Sequence, residues 1–524
     1  MPIDWSSAGL DFHLDLDRDA GRRHGLADAI RRAIRDGRLT PGTRLPSTRA
    51  LAADLGIARG TVTQAFAELA VEGYLRTHQG AGAVVVGMPG QRHPPRVIPP
   101  PSPTQRGNAR WNLLPGRPDV TLFPRSSWLA ATRRALTDAV AEDFGYGAPQ
   151  GHPKLRKALA DYLGRARGVV ADPDAIMVCS GYSQALGLLA RVLRERGART
   201  VAFENPSLAE FRQVVAAADL TCIGIGVDGH GIRVDQLAAT APPRGLGAVV
   251  VTPAHQYPLG ATLHPARRAE LIEFAHATDT LIIEDDYDGE FRFDRQPIGA
   301  LQALAPERVV YAGTSSKTLA PGLRISWLVL PSWLIEPMRA VKRLADRHAG
   351  VVESLTLAEF ITAGHYDQQV RRSRSRYRAR RDRLLTALGQ EGITVWPDSA
   401  AAGLHLVLPL PNVLPLPDHG RPDHGRPDHV RPDHVRPDHG WPDHGRARTS
   451  EAAAPANAAA AASAEAEVLA TLARHSVAVE GLHEAWIDDD PQVGGLVVGY
   501  AAPAEHAFGP AIHALITALR LSWR

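Results

Sequence analysis

The sequence predicts a multidomain protein in which a small α+β domain with a winged helix-turn-helix precedes a large α/β domain with a mainly parallel sheet. Three observations lead to this fold class. Two short helical segments and a hairpin-like segment come first, and a proline-rich stretch follows at 88–109. After it, strand-like and helical segments alternate, which is typical of a sheet covered by helices.

The composition excludes several other classes of protein. Of the 524 residues, 44% are hydrophobic and 22% are charged, which excludes collagen, a coiled coil and wholesale disorder. Two cysteines are too few for a disulfide framework and suit a reducing compartment. The N-terminus has no signal-peptide pattern, and the apolar stretches are too short to span a membrane. We therefore expect a soluble, cytoplasmic protein.

The first domain begins with an amphipathic helix over 21–36, whose other faces carry arginines. Ser47 is placed to cap a second helix that runs to Leu55 and stops at Gly56. A third helix starts near Arg59. Two short helices joined by a tight turn form a helix-turn-helix, whose second helix enters the major groove of DNA.

Arginine dominates the charge of this domain. Nine arginines against three aspartates occupy 18–49, which favours contact with phosphates although the whole chain has a net charge of only +3. After the third helix, the stretch 72–86 has the pattern of a β-hairpin with a glycine-rich tip. Composition alone leaves two interpretations open: a DNA-binding domain, or a protein–protein module with solvated arginines.

The segment from Leu45 to Gly82, LPSTRALAADLGIARGTVTQAFAELAVEGYLRTHQGAG, resembles the winged-helix domain of the GntR family of bacterial transcription regulators. One departure is Ala58, where a capping Ser or Thr is usual. The resemblance implies binding to double-stranded operator DNA through arginines, through polar residues of the recognition helix and through the wing tip. These three sets are Arg49 and Arg59; Thr61, Thr63 and Gln64; and Gln79 and Gly80.

In the large domain, ligands are expected beyond the carboxyl ends of the parallel strands. The predicted strands are Ala175–Cys179, Thr200–Phe203, Ala248–Thr252, Thr280–Glu284, Val309–Ala312 and Ile325–Leu330.

Lysine is rare in this chain, since only four of the 59 basic residues are lysines. Lys317 follows a predicted strand, among hydroxyl residues and shortly before Arg324. A phosphorylated aldehyde cofactor needs these groups: an amine for a Schiff base, and hydroxyls with a guanidinium for its phosphate. The other lysines fall on predicted helices, where surface charge is the ordinary role: Lys154, Lys157 and Lys342.

Carboxylates follow another predicted strand. Asp285 is the acid nearest the buried end, where it can pair with a pyridinium nitrogen and keep it protonated, and Tyr287 can donate to a phenolate oxygen. Asp286 and Asp288 are equally well explained as solvated acids of a turn. A third segment, Ser180–Leu186, is a small-residue turn at a helix N-terminus, which presents backbone N–H groups to an anion.

These three segments in this order resemble the fold-type I aminotransferases, and their combination with a GntR winged helix resembles the MocR subfamily of regulators. FGYGAPQG at 144–151 and TPAHQYPLG at 252–260 extend the match. The resemblance implies pyridoxal 5′-phosphate (PLP) bound covalently to Lys317, with Asp285 on the ring nitrogen and Tyr287 on the phenolate oxygen. It also implies a homodimer in which Tyr146 reaches the partner's phosphate. The residues around the phosphate would be Gly181, Tyr182, Thr314 and Arg324.

Two departures from the aminotransferase pattern bear on function. Leu208 replaces the usual aromatic residue on the pyridine ring, so stacking would fall to apolar contact or to Phe211. The C-terminal strand, 495–501, has no arginine, although aminotransferases use one there to bind the substrate carboxylate with a planar fork. We therefore expect a transcription regulator that senses the cofactor, or an amine or amino acid that reacts with it. The alternatives are an active PLP-dependent aminotransferase with a fused DNA-binding domain, and a structural dimer with an inert second domain.

A low-complexity segment interrupts the C-terminal part, where Pro-Asp-His recurs every five residues from Pro417 and an alanine run follows. Its histidines could bind a metal, but proline at every fifth position blocks helix and interior strand, so we favour a loop and predict no metal site. These histidines are His419, His424, His429, His434, His439 and His444. The expected division is 1–87, winged helix; 88–109, linker; 110–408, large domain and start of a small subdomain; 409–466, insert; and 467–524, rest of that subdomain.

Overall fold

The computed structural model describes residues 22–78, 82–86, 109–242, 245–293, 298–410, 454–487 and 494–523. These residues belong to two compact units, which divide between Ser102 and Pro103. Most of the predicted linker, the Pro-Asp-His repeat and the wing-tip residues Gln79 and Gly80 lie outside the described residues. No helix within the described ranges is long and apolar enough to cross a membrane.

The smaller unit combines helices with a three-stranded antiparallel sheet. Its elements are α1 Arg22–Arg35, β1 Arg44–Leu45, α2 Thr48–Leu55, α3 Arg59–Val71, β2 Leu75–His78 and β3 Gly82–Val85, with strand order β1-β3-β2. As predicted, the Ser47 hydroxyl caps α2 by accepting from the Ala50 N–H at 3.2 Å. Gly56 ends that helix in the left-handed region, and Ala58 provides no side-chain cap for α3. One apolar cluster joins the helices and the sheet.

The strands of the larger unit form one wide sheet and smaller ones. They are β4 Trp111–Asn112, β5 Ile176–Cys179, β6 Thr200–Asn205, β7 Thr221–Asp228, β8 Gly231–Ile232, β9 Leu246–Val251, β10 Leu281–Asp286, β11 Val309–Thr314, β12 Ser326–Val329, β13 His405–Pro409, β14 Val477–Ala478, β15 Glu480–Gly481 and β16 Gly495–Gly499. The helices are α4 Arg125–Thr137, α5 Pro153–Arg167, α6 Tyr182–Glu195, α7 Ala209–Ala216, α8 Val234–Thr240, α9 Pro265–Thr278, α10 Ser332–Ala345, α11 Val351–Thr362, α12 His365–Gln390, α13 Ala454–Arg474 and α14 Glu505–Ser522.

The wide sheet has eight strands in the order β5-β12-β11-β10-β9-β6-β7-β8. β7, β6, β9, β10 and β11 are parallel, and β12 is antiparallel to both of its neighbours. Each of the six predicted strands overlaps a strand of this sheet. β7 was not predicted, because Gly224 and Gly226 interrupt its apolar pattern.

Buried side chains cover both faces of the wide sheet. Because alternate residues of a strand face opposite sides, Leu281 and Ile283 pack in the cluster that includes α6 and α10, whereas Ile282 packs in the cluster that includes α9. Strands buried on both faces have continuous apolar sequences, which is why they were recognisable. The polar residues that follow them therefore lie at the sheet edge.

A three-stranded antiparallel sheet, β13-β16-β15, forms the core of the C-terminal subdomain with α12, α13 and α14. α13 begins at Ala454, inside the stretch 409–466 that was assigned to the insert. Alanine has the highest intrinsic helix propensity, so the alanine run forms the first part of this helix. Within α13, the buried Glu465 carboxylate accepts from the N–H groups of His483 and Gly495 at 3.0 and 3.1 Å, which fixes the helix against β16.

Candidate functional site

The outer face of α3 brings several predicted DNA-binding residues together. Arg59, Thr63 and Gln64 are exposed, and Thr61 is half-buried. Arg49 is exposed on α2, and the Arg59 Nε lies 3.5 Å from the Thr48 hydroxyl, so the two helix starts are adjacent. The opposite face of α3 packs into the core through Val62, Ala65, Phe66 and Leu69.

Lys317 lies in the loop that follows β11. It is half-buried, and its Nζ donates to the carbonyl oxygen of Gly116 at 2.6 Å. Burial lowers the pKa of the amine, and the nearby carboxylate of Asp285 opposes that shift. A lowered pKa increases the neutral fraction of the amine, and the neutral form is the nucleophile.

Asp285 lies at the carboxyl end of β10, in register with Ala312 of β11, and it is buried. Burial raises the pKa of its carboxyl well above the ordinary value, and the charge of Lys317 works against this. The Tyr182 hydroxyl lies close enough that the Asp285 charge adds to the rise that burial causes in the phenol pKa. That hydroxyl has no well-formed hydrogen bond within the described residues. The Lys317 amine, the Asp285 carboxyl and the Tyr182 phenol thus lie close together at the carboxyl end of β10.

Tyr287 contacts a buried histidine, His255, for which the sequence alone indicates no role. Its hydroxyl is 3.3 Å from His255 Nδ1, which lies 2.8 Å from the Asp288 carboxylate. The His255 Nε2 is buried and has no partner among the described residues. The ring of His405, on β13, is centred 5.5 Å from the His255 ring, and burial lowers the His405 pKa to about 4. The signal for His255 was its place in TPAHQYPLG, directly after β9.

Arg324 and Gly181 lie close together at the turn between β5 and α6. The Arg324 Nη2 donates to the Ser180 carbonyl at 2.8 Å. Gly181 has φ of +93°, and a side chain there would collide with the Arg324 guanidinium, so only glycine fits. Thr314 is aligned with Ser326, which is aligned with Cys179 directly before this turn. Gly181, Tyr182, Thr314 and Arg324 therefore gather around the start of α6.

Tyr146 projects from the surface of the chain. It is 85% exposed, and the guanidinium of Arg347 lies 4.5 Å from the centre of its ring. Phe211, the predicted alternative for stacking, instead packs edge-on against Tyr182 with ring centres 4.6 Å apart.

Lys342 corrects one expectation, because it is no surface charge. It is fully buried, and its Nζ contacts the Asp346 carboxylate at 2.5 Å. It lies on the face of α10 that packs towards the sheet, beside apolar neighbours such as Met338 and Val341. Lys157, in contrast, is exposed, with 75% of its side chain accessible.

Two family models match the chain: "Bacterial regulatory proteins, gntR family" at residues 23–85 and "Aminotransferase class I and II" at residues 119–412. A winged helix joined to an aminotransferase-like domain defines a class of DNA-binding transcription regulators. The pyridoxine biosynthesis transcriptional regulator PdxR of Corynebacterium glutamicum is 34% identical over 70% of this chain and 78% of its own length. The probable rhizopine catabolism regulatory protein MocR of Rhizobium meliloti is 32% identical over 75% of this chain and 83% of its own length. The chain belongs to the MocR subfamily of GntR-family transcription regulators.

Solved structures share the fold of the large domain. The kynurenine aminotransferase of Pyrococcus horikoshii, 22% identical, has a TM-score of 0.64 and covers 80% of this chain and 93% of its own. The α-aminoadipate aminotransferase LysN of Thermus thermophilus, solved with N-(5′-phosphopyridoxyl)-L-leucine, has a TM-score of 0.61 at 19% identity, over 79% of this chain and 92% of its own. The aminotransferase class I and II family is PLP-dependent.

Proposed function

We propose that this regulator binds PLP at Lys317, and that the cofactor, or an amine or amino acid that reacts with it, controls operator binding by the winged helix. The observation that carries the proposal is the convergence at one sheet edge of the Lys317 amine, the Asp285 carboxyl and the Tyr182 hydroxyl. Beside them, Gly181 and Arg324 form a site suited to an anion. The family to which the chain belongs makes PLP the natural ligand for such a set.

The residues present fit this cofactor. The Tyr182 hydroxyl and the His255 Nε2 are buried polar groups that make no well-formed hydrogen bond in the described part of the chain, and such groups ordinarily make one. A bound PLP supplies an aldehyde that reacts with amines and a ring that accepts electrons.

The chain's own residues would bind and orient the cofactor. Lys317 would provide the amine, Asp285 would keep the ring nitrogen protonated, and Tyr287 would donate to the phenolate oxygen. Because burial disfavours the Asp285 anion, a cationic ring nitrogen beside it would stabilise its charged form. The phosphate of the cofactor would be bound by Gly181, Tyr182, Thr314 and Arg324.

A homodimer completes the proposal, with Tyr146 reaching the phosphate of the partner subunit. Leu129, Val140, Phe144 and Tyr146 are apolar or aromatic, and each is more than half exposed. Apolar side chains this exposed, close together in sequence, indicate a surface that another protein covers.

The exposed face of the helix-turn-helix would bind DNA. The protein would act in the cytoplasm, where operator DNA lies. Arg49 and Arg59 would hold phosphates or read guanine edges, and Thr61, Thr63 and Gln64 would lie along the groove. The wing-tip residues Gln79 and Gly80 complete the proposed set.

Lys317→Ala tests the cofactor proposal. With added PLP, the wild-type protein should develop an absorbance band near the edge of the visible range, and the variant should not. The matched control is Lys157→Ala, which removes an exposed lysine and should keep the band. Operator binding by the Lys317→Ala variant should stay measurable without the cofactor. A band that survives in Lys317→Ala would refute the proposal.

Turnover separates regulation from enzymatic transamination. Without an arginine on β16, we expect no sustained production of keto acids from a panel of amino donors. Sustained production, measured with the PLP-loaded wild-type protein, would instead favour the active aminotransferase.

A further inference from the structure

The Lys317 amine is in direct contact with the backbone of Gly116. The Gly116 carbonyl accepts from Nζ at 2.6 Å, and Gly116 has φ of +66°. A side chain at Gly116 would start 3.3 Å from the Lys317 Nζ, which is tighter than ordinary contact. Any other residue at position 116 would therefore crowd the amine. The next residue is Arg117.

The segment that carries Gly116 runs along the strand from which an aminotransferase would supply its carboxylate-binding arginine. The Gly499 N–H, at the end of β16, donates to the Leu113 carbonyl at 2.7 Å. A side chain at Gly499 would collide with the Leu114 carbonyl, so the two backbones are in close contact. Arg117 follows this contact by a few residues and therefore lies near β16, the strand that lacks an arginine.

Other arginines near this site are already engaged. Arg212 donates to backbone carbonyls of Ser207, Ala485 and Trp486 at 2.6–3.0 Å. Arg324 donates to the Ser180 carbonyl. Arg117 is exposed, and within the described residues no carboxylate is paired with it.

The charges around the amine are consistent with this placement. Burial lowers the pKa of Lys317, the carboxylates of Asp285, Asp288 and Glu210 oppose this, and the guanidinium of Arg117 adds to it. The Lys317 amine therefore has an exposed cation, Arg117, and an exposed anion, Glu210, in its surroundings. A ligand carboxylate near the amine would therefore be attracted to Arg117.

We infer that Arg117 binds the carboxylate of an amino acid whose amino group lies at Lys317, in place of the arginine missing from β16. This inference rests on the proposed function, since the amino group is expected to meet PLP there. A guanidinium binds a carboxylate with two parallel hydrogen bonds, so it fixes the ligand's orientation as well as its affinity. Arg117 would thereby select amino acids over simple amines.

The test uses two probes that differ only in the carboxylate, L-norleucine and 1-aminopentane. Full-length protein loaded with PLP is titrated with each, and the half-saturation concentration is taken from the cofactor's absorbance band. The ratio of the two half-saturation concentrations should change by roughly tenfold or more between wild type and Arg117→Gln, since a hydrogen-bonded charge pair is lost. Comparing the ratio between proteins cancels the difference in basicity of the two amines.

The control variant is Arg372→Gln, which removes an exposed arginine of α12 and should keep the wild-type ratio. Half-saturation by 1-aminopentane should stay the same in all three proteins, which shows that Arg117→Gln is folded and loaded. An unchanged ratio in Arg117→Gln overturns the inference while the proposed function stands. A wild-type protein that develops no cofactor band refutes the proposed function, and this inference with it.

Discussion

At the scale of single residues, Glu204 makes the stability of the large domain depend on pH. Its carboxylate is 3% exposed and accepts from the N–H and hydroxyl of Thr252 at 3.0 and 2.6 Å. Burial nevertheless raises its pKa from 4.5 to about 7. An acid with a higher pKa in the folded state binds its proton more tightly when folded. Its contribution to stability is therefore complete below pH 4.5 and is lost as pH rises through about 7.

Replacing Glu204 by Gln should remove this dependence while keeping an oxygen that can accept from Thr252. Relative to wild type, Glu204→Gln should become more stable as pH rises from about 5 to about 8, by roughly 1.4 kcal/mol for each unit of pKa shift removed. Urea denaturation followed by tryptophan fluorescence at both pH values measures the effect. Glu336→Gln, at an exposed position, is the control. A stability difference that is the same at both pH values would contradict the prediction.

Residue chemistry could be predicted from the sequence where a residue type was rare and followed a strand. Lys317 met both conditions and Asp285 only the second, since aspartate is common in this chain, and the structure brings the two together. Lys342 met only the first, and its burial depends on which face of α10 packs inward. The role of His255 could not be predicted from the sequence, because its contacts with Tyr287 and Asp288 form only when the ends of two strands meet.

At the scale of elements, strand register assembles the site. β10, β11, β12 and β5 are neighbours, although the chain visits them in a different order. Their alignment places Asp285, Thr314 and the turn after Cys179 at one edge. Continuous apolar runs made the strands predictable. The register was not, since it depends on packing between distant segments.

The helix-turn-helix allows a prediction about the counterions that DNA releases when the protein binds. Arg59→Ala should weaken operator binding and reduce the slope of log K against log salt by about one, because one phosphate contact is lost. Fluorescence anisotropy at several salt concentrations, with genomic DNA selected by the wild-type protein, measures both quantities. Arg372→Ala, on α12 of the other unit, should leave the slope unchanged. Normal affinity and slope in Arg59→Ala would contradict the role of Arg59.

Two elements show where local sequence gives too little information. β7 contains glycines that weaken the strand pattern, and it is held by its pairing with β6. α13 begins inside an alanine run, whose composition alone suggested low complexity. For β7 the pairing with β6 decides what the local pattern leaves open, whereas for α13 the helix propensity of alanine does.

At the scale of the whole molecule, the proposed dimer would join two sites that each chain leaves incomplete. Exposed apolar side chains occupy α4 and the segment that follows it, including Leu129 and Phe144. If Tyr146 completes the partner's phosphate site, cofactor binding and self-association must depend on each other.

Leu129→Asp should therefore shift the protein towards monomer and weaken PLP binding together. A buried charge at an interface is costly, so the dimer dissociation constant should rise by at least about tenfold. Sedimentation velocity and cofactor titration measure the two effects. Leu304→Asp changes a leucine of similar exposure, 62% against 61%, and should change neither. A Leu129→Asp variant that remains dimeric at nanomolar concentration would contradict the proposed surface.

The contact between Gly181 and Arg324 also restricts how the gene can evolve. Because the guanidinium fills the space where a side chain at position 181 would begin, a mutation of that glycine codon is damaging while Arg324 is kept. Loss of the arginine would not release position 181, because its φ of +93° strains every residue other than glycine. Descendants that have lost the arginine should therefore still have glycine at position 181, and this historical record can be read from genomes alone.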